Sequence, residues 1–139
     1  MTVRLVLGFL AVGFSFAVRT VLAAGPIEVT RGQDVMVLGN CVPSLVVENR
    51  SSRTVDYLQV DMVVMLETGR ERSVELKSAY REGVLYPIQP GGKATLKQHL
   101  DTSKALGVGC GDLRDRRAVR IVCEAEGGAS CAGDVTVQP

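Results

Sequence analysis

Hydrophobic and polar residues alternate with a period of two along most of the chain between Gly25 and Pro139. The clearest run is Asp56 to Leu66, in which every second residue from Leu58 onwards is apolar. An extended strand places such a set on one face, whereas a helix would scatter it around its circumference. A turn follows at Gly69 and alternation resumes from Ser73 to Tyr80, so these two segments are predicted to form a β-hairpin.

Shorter alternating segments flank this hairpin on both sides. Turn-forming residues separate them at intervals of roughly 8 to 12 residues, which is typical of an all-β fold with two antiparallel sheets packed as a sandwich of about seven strands. The stretch from Asp101 to Arg116 is expected to be a long loop because it contains three glycines, and Arg114 to Arg117 is expected to be a solvated turn. The other predicted strands are 34–38, 45–50, 93–100, 117–124 and 134–137.

The first 24 residues have the parts of a secretory signal peptide. A basic residue near the start precedes an uncharged and mostly apolar run, Leu5 to Val18, and the small residues Ala23 and Ala24 offer two cleavage sites. An N-terminal membrane anchor is the alternative, but Arg19 interrupts the apolar run before it reaches the length of a spanning helix. We expect a signal peptide at 1–24, one domain at 25–139, a secreted or periplasmic location, and no membrane attachment after cleavage.

The charge of the predicted domain is close to zero. The whole chain has 16 basic and 15 acidic residues, and two of the basic residues lie before position 25, which leaves 14 against 15 and a net charge of −1. A surface without excess positive charge gives no reason to expect nucleic acid or an anionic membrane as a partner. No nucleotide-binding or metal-binding motif stands in a fitting context, so we expect no cofactor.

Few residues are available for catalysis. The only histidine is His99, which strand alternation places with lysines on a solvent-facing side, and no nucleophile motif accompanies it. We therefore expect that the protein is not an enzyme. A small hydrolase, built on His99 or on a pair of strand carboxylates, is the weakest alternative.

The four cysteines, Cys41, Cys110, Cys123 and Cys131, are predicted to form two disulfides, because an even number of them follows an export signal in a small domain. They lack the Cys-x-x-Cys spacing of a zinc site, so no metal is expected. Three connectivities are possible. Cys123 and Cys131 are equally far from Gly127, and a hairpin there would bring them face to face, which favours pairing 123 with 131 and 41 with 110.

Tyr80, Arg81 and Tyr86 are the candidate protein-binding residues. They lie in a connection between predicted strands, and tyrosine and arginine are enriched among the residues that dominate binding energies at interfaces. The alternative is that both tyrosines pack the edge of the sandwich in a chain without tryptophan. Asn49-Arg50-Ser51 matches the N-glycosylation motif at a strand end, and in a cell that does not glycosylate it is a turn asparagine.

Five stretches of the chain share a pattern with a known family: Asn40–Arg50, Tyr57–Asp61, Ser78–Gly83, Tyr86–Ile88 and Leu106–Cys110. Together they resemble the small secreted bacterial proteins of the IrmA type, named for interleukin receptor mimicry. The resemblance covers nearly all of the mature chain, and the segment after Cys123 departs from it. It implies a fibronectin type III-like, immunoglobulin-like sandwich, a homodimer formed by strand exchange, and binding of host cytokines in the manner of their receptors.

We therefore expect an exported, non-enzymatic sandwich that binds another protein, either a host cytokine or a component of the cell envelope. A periplasmic accessory or structural module within an envelope complex is the alternative to cytokine binding.

Overall fold

The structure is a computed structural model that describes residues 26–78, 80–81, 84–98 and 105–139. Within these ranges the chain forms twelve strands and short 3-10 turns without an α-helix, so the predicted all-β fold is confirmed. The strands are β1 Ile27–Arg31, β2 Val35–Val37, β3 Asn40–Val42, β4 Ser44–Asn49, β5 Val55–Leu66, β6 Glu71–Lys77, β7 Tyr80–Arg81, β8 Val84–Leu85, β9 Lys93–Lys97, β10 Leu113–Ala125, β11 Ala129–Ser130 and β12 Val135–Gln138.

Two of the sequence predictions lie outside the described residues, namely the signal peptide at 1–24 and the lone histidine, His99. The part of the chain that is described contains no helix with the length and apolar character needed to cross a membrane.

Eight of the strands form one curled sheet in the order β11-β10-β5-β6-β9-β4-β1-β12. Its two halves, β11-β10-β5-β6 and β9-β4-β1-β12, are joined by one residue pair, Lys77 of β6 opposite Lys97 of β9. The two layers of the predicted sandwich are therefore continuous along one side. The remaining strands form two separate hairpins, β2-β3 and β7-β8.

Strand β5 carries the centre of the core. Leu58, Val60, Met62 and Val64 are fully buried, and the residues between them are partly exposed, so the face predicted from the alternation is confirmed. Burial contributes about 1.5–3 kcal/mol for each side chain of this size. The opposite layer of the same core is formed by Ile27, Val29, Leu45, Val47 and Leu96.

Strand β10 begins earlier than predicted. It runs antiparallel to β5 from Leu113 to Ala125, so the prediction of a loop reaching Arg116 and of a solvated turn at 114–117 is wrong. Two carboxylates that are distant in the sequence pair with the arginines of this segment: Glu67 pairs with Arg114 and Glu71 pairs with Arg117. Backbone pairing with β5 then holds this charged segment extended.

The last strand changes layer. Cys123 of β10 and Cys131 form a disulfide across the short β10–β11 pairing, which is the local pairing favoured by the sequence. The chain then turns through residues 132–134 and pairs in parallel with β1, placing Val135 opposite Ile27. This parallel pair differs from the antiparallel arrangement expected throughout, because the turn carries the chain end across to the second layer.

A buried asparagine ends β4. The Nδ2 of Asn49 donates to the carbonyl oxygens of Arg53 and Ile88 at 2.8 and 2.9 Å. Its Oδ1 accepts from the backbone N–H and the hydroxyl of Ser51 at 3.1 and 2.6 Å. All four hydrogen-bonding positions of the amide are thus filled, and the residue is fully buried. In the folded domain this sequon asparagine is therefore inaccessible to a glycosylating enzyme.

Candidate interaction surface

The hairpin formed by β2 and β3 stands apart from the main sheet and projects apolar side chains into solvent. Val37 lies opposite Asn40, so Leu38 and Gly39 form a two-residue turn, and both have positive φ angles of 48° and 77°. A type I′ turn has these signs and favours Asn-Gly or Gly-Gly, whereas leucine rarely adopts a positive φ. The Nδ2 of Asn40 donates to the carbonyl oxygen of Leu38 at 3.0 Å and supports the turn.

Three of four consecutive apolar residues on this hairpin are exposed. Val35 is 46% exposed, Met36 53% and Leu38 91%, in a domain whose other large apolar residues are mostly buried. Single exposed apolar residues are common on protein surfaces, but a contiguous group indicates an interaction site. We refer to Val35, Met36 and Leu38 as the hairpin tip.

Strand β3 of the hairpin is held covalently at its middle residue. Cys41 of β3 is buried and forms a disulfide with Cys110, which is the long-range pairing favoured by the sequence. Backbone contacts strengthen this link, because Cys41 N–H donates to the carbonyl oxygen of Val108 at 2.8 Å and Gly107 N–H donates to Asn40 Oδ1 at 3.1 Å. The hairpin is therefore fixed to the loop that precedes β10.

An ion pair holds the other strand of the hairpin. The carboxylate of Asp34, directly before β2, accepts two hydrogen bonds from Arg116 of β10, and their side chains are only 9% and 4% exposed. Arg31 also reaches Asp34 at 3.2 Å. Burial opposes ionisation of Asp34, but the hydrogen bonds and charges of Arg116 and then Arg31 outweigh it and lower the pKa of Asp34. The carboxylate thus stays ionised and ties β2 to β10.

The same place brings together Asp34, Cys41 and Cys110, whose ligand atoms lie within 4.8 Å of one another. The donor chemistry does not fit a metal ion, because the two sulfur atoms are bonded to each other and are not thiolates. The carboxylate is already occupied by the guanidinium of Arg116. This cluster is therefore a structural anchor made of a disulfide beside an ion pair.

A groove of about 300 Å³ lies between the hairpin and the outer face of the main sheet. Its floor is the row Val42, Ser44 and Val46, which share one face of the chain because they alternate with inward-facing residues. Val35 lines one side, and Lys97 with Thr95 of β9 lines the other. We refer to this feature as the valine groove.

The backbone beside the groove is closely packed. Gly32 N–H donates to the carbonyl oxygen of Ser44 at 2.9 Å, and the hydroxyl of Ser44 donates to the carbonyl oxygen of Gln33 at 2.7 Å. A Cβ at position 32 would lie 2.4 Å from the Ser44 hydroxyl oxygen and 3.1 Å from its backbone, so only glycine fits. These contacts hold the segment between β1 and β2 against β4 and define one wall.

The residues that the sequence nominated lie on the other hairpin. Tyr80 and Arg81 form β7, and the structure describes their backbone pairing with β8 but not their side chains. Tyr86 follows β8 and is 52% exposed. The role of these three residues in protein binding therefore stays a prediction.

Sequence reasoning missed the hairpin tip. The available signal was the run Val35-Met-Val-Leu38, which breaks the period-two pattern and ends in a glycine and an asparagine. Four consecutive apolar residues place apolar groups on both faces of a strand. Such a strand is either buried on both sides or exposes apolar surface, and the structure shows exposure here.

Comparison with known proteins finds a likeness of fold. No known family model matches the chain. No curated protein matches it either. Among solved structures, IrmA from Escherichia coli is similar, with a TM-score of 0.56, over 81% of this chain and 91% of that one, at 8% sequence identity. A likeness at this low identity shows the fold alone. It therefore supports the fold that the resemblance in sequence implies, and nothing beyond the fold.

Proposed function

We propose that this protein is an exported, non-enzymatic binding module that holds another protein through the hairpin tip. One observation carries the proposal: an apolar, solvent-exposed group stands on a hairpin whose two strands are fixed by a disulfide and a buried ion pair. A segment that is already ordered loses little conformational entropy on binding, so its apolar surface can contribute to affinity. The two disulfides also support export to an oxidising compartment.

The class of the partner is part of the proposal. The resemblance drawn from the sequence favours a host cytokine, and a component of the cell envelope is the second candidate. Fold likeness does not transfer a ligand, so the choice between them rests on experiment.

Photo-crosslinking tests the proposal directly. A photoreactive amino acid replaces Met36 in the hairpin tip, and in a matched protein it replaces Thr68, an exposed residue in the β5–β6 turn. Each protein is mixed with host serum and, separately, with an extract of the producing cell's envelope. We expect a defined adduct from position 36 and none from position 68. Equal adducts from both positions, or none from position 36 at micromolar protein, would contradict the proposal.

The substitution Leu38→Asn then separates binding from folding. It removes the most exposed apolar side chain and converts the turn to Asn-Gly, the pair that a type I′ turn prefers. We expect the melting temperature to stay the same or rise, while affinity for the crosslinked partner falls about tenfold, corresponding to about 1.4 kcal/mol. Unchanged affinity would remove the hairpin tip from the interface.

A further inference from the structure

We propose that the valine groove binds an extended segment of the partner that places an apolar side chain on the valines and an aspartate or glutamate against Lys97. The inference rests on the proposed binding function and names the chemistry that the partner supplies. The groove shares Val35 with the hairpin tip, but Val46 and Lys97 lie outside the tip, so variants at these two positions test the groove separately.

The groove has a size and lining that suit an apolar side chain. Its volume of about 300 Å³ lies at the lower limit of small-molecule sites, which suits one or two side chains better than a larger ligand. Val35, Val42 and Val46 are the three apolar residues of its lining. An apolar side chain of a peptide would therefore be removed from water against these valines, and the hydroxyl of Ser44 in the floor already donates to the carbonyl oxygen of Gln33.

Positive charge lies at the rim of the groove. Lys97 lies directly opposite Lys77 where β9 meets β6, and both point outward because Leu96 and Leu76 beside them are buried. Like charges in directly opposite positions are destabilising.

Among the described residues, only one of these two lysines has a carboxylate partner. Glu75 pairs with Lys77 at 3.1 Å. In contrast, no carboxylate of the described residues lies within ion-pair distance of Lys97. A carboxylate from the partner would supply a negative charge beside the apolar floor, because Lys97 lies opposite Ser44.

Lys93 provides a matched control. It lies on the same strand and the same outward face as Lys97, but at the opposite end of β9, where it pairs with Glu48 at 3.4 Å. It does not line the groove. Removing either charge changes the net charge of the protein equally, so only a local contact distinguishes Lys93→Gln from Lys97→Gln.

The probe is a phage library of random twelve-residue peptides, panned against the purified protein with both disulfides formed. Peptides joined to the coat protein by their C-termini have no free carboxylate there, so selection reports side-chain carboxylates alone. We expect enrichment of sequences with an aspartate or glutamate within a few residues of a valine, leucine or isoleucine. A library without an enriched acidic and apolar pattern would overturn the inference.

An enriched peptide is then synthesised with an amidated C-terminus, together with a copy whose acidic residue is replaced by its amide, and both are titrated by fluorescence anisotropy. We expect Lys97→Gln to weaken the acidic peptide about fivefold, and Lys93→Gln to leave it unchanged. The acidic peptide and its amide copy should bind Lys97→Gln with equal affinity. For the wild-type protein, added salt should reduce the difference in affinity between the two peptides.

Val46→Thr tests the floor while keeping the β-branched shape of the strand residue, and we expect several-fold weaker peptide binding at an unchanged melting temperature. Equal affinities for Lys97→Gln and Lys93→Gln would overturn the inference. Groove variants that lose the peptide but keep the partner crosslinked at position 36 would also overturn it, while the proposed function stands. Weaker binding of that partner by Leu38→Asn, in contrast, tests the hairpin tip and does not depend on the groove.

Discussion

The substitution Asn49→Asp tests how much one buried amide contributes to the fold. It keeps the size and shape of the side chain but removes the two Nδ2 hydrogens that bind the carbonyl oxygens of Arg53 and Ile88. The carbonyl of Ile88 keeps its hydrogen bond from Val55 N–H at 3.0 Å, so the cost arises from the two lost hydrogen bonds and from a carboxylate oxygen that faces both carbonyls at a fully buried position, about 4 kcal/mol together. The two contacts from Ser51 to Oδ1 become charge-assisted and recover about 1 kcal/mol. We therefore expect the free energy of unfolding to fall by about 3 kcal/mol at pH 7.

The measurement is urea unfolding followed by circular dichroism, with both disulfides intact. A domain of this size has a total stability of about 5–15 kcal/mol, so the loss is large, and the melting temperature should fall by about 10–15 °C. Asn40→Asp is the matched control, because Asn40 is the other asparagine of the chain and lies at a partly exposed site. It retains the acceptor for Gly107 N–H and loses one donor to Leu38, so we expect a loss below about 1 kcal/mol.

The pH dependence of Asn49→Asp provides a second, independent check. Burial and the two facing carbonyls disfavour the charged form of the new carboxyl group, so its pKa in the folded state is raised above its unfolded value of about 3.9. The folded state then binds more protons than the unfolded state between these two values. The loss of unfolding free energy in the variant should therefore be largest at pH 7 and become smaller as the pH falls towards 4. A loss of stability below about 1 kcal/mol at pH 7, or one that grows on acidification, would show that the Asn49 amide does not stabilise the fold in this way.

Two further predictions concern the anchors of the hairpin. Asp34→Asn leaves a buried guanidinium without its carboxylate, so urea unfolding at pH 7 should show a loss of about 3 kcal/mol. Because the pKa of Asp34 is lowered from 3.8, the difference in free energy of unfolding between the wild type and this variant should persist down to about pH 4 and become smaller below it. A difference that is unchanged at pH 2.5 would contradict this role of the Asp34 carboxylate. Replacing Cys41 and Cys110, which are 69 residues apart, by alanine should lower the free energy of unfolding by about 4 kcal/mol. The same replacement of Cys123 and Cys131, which are 8 residues apart, should lower it by about 2.5 kcal/mol, and equal losses would contradict this prediction.

The sequence predicted those features whose signal is local. The alternation in β5 identified its buried face because a period of two has one structural meaning in an extended chain. The hairpin pairing of Cys123 with Cys131 was favoured because the glycines between them allow a tight reversal. In each case the residues that determine the outcome lie within about a dozen positions of one another.

The features that the sequence did not predict depend on distant partners. Asp34 and Arg116 are 82 residues apart, and each taken alone is an ordinary surface charge. Asn49 matches a motif typical of exposed strand ends, yet the segment carrying Ile88 covers it. Arg114 was assigned to a turn because the strand carboxylate that holds it, Glu67, lies 47 positions away.

The hairpin separates the groups that hold it from the groups that it exposes. Cys41, in the middle of β3, and Asp34, directly before β2, face the protein and carry the disulfide and the ion pair. Met36 and Leu38, between them, are more than half exposed and contribute little to the core. Because its anchoring does not depend on burying its own apolar side chains, the tip can remain apolar and ordered in water. A group exposed in this way gains its burial only when another surface covers it, which is the physical reason for regarding the tip as a binding element.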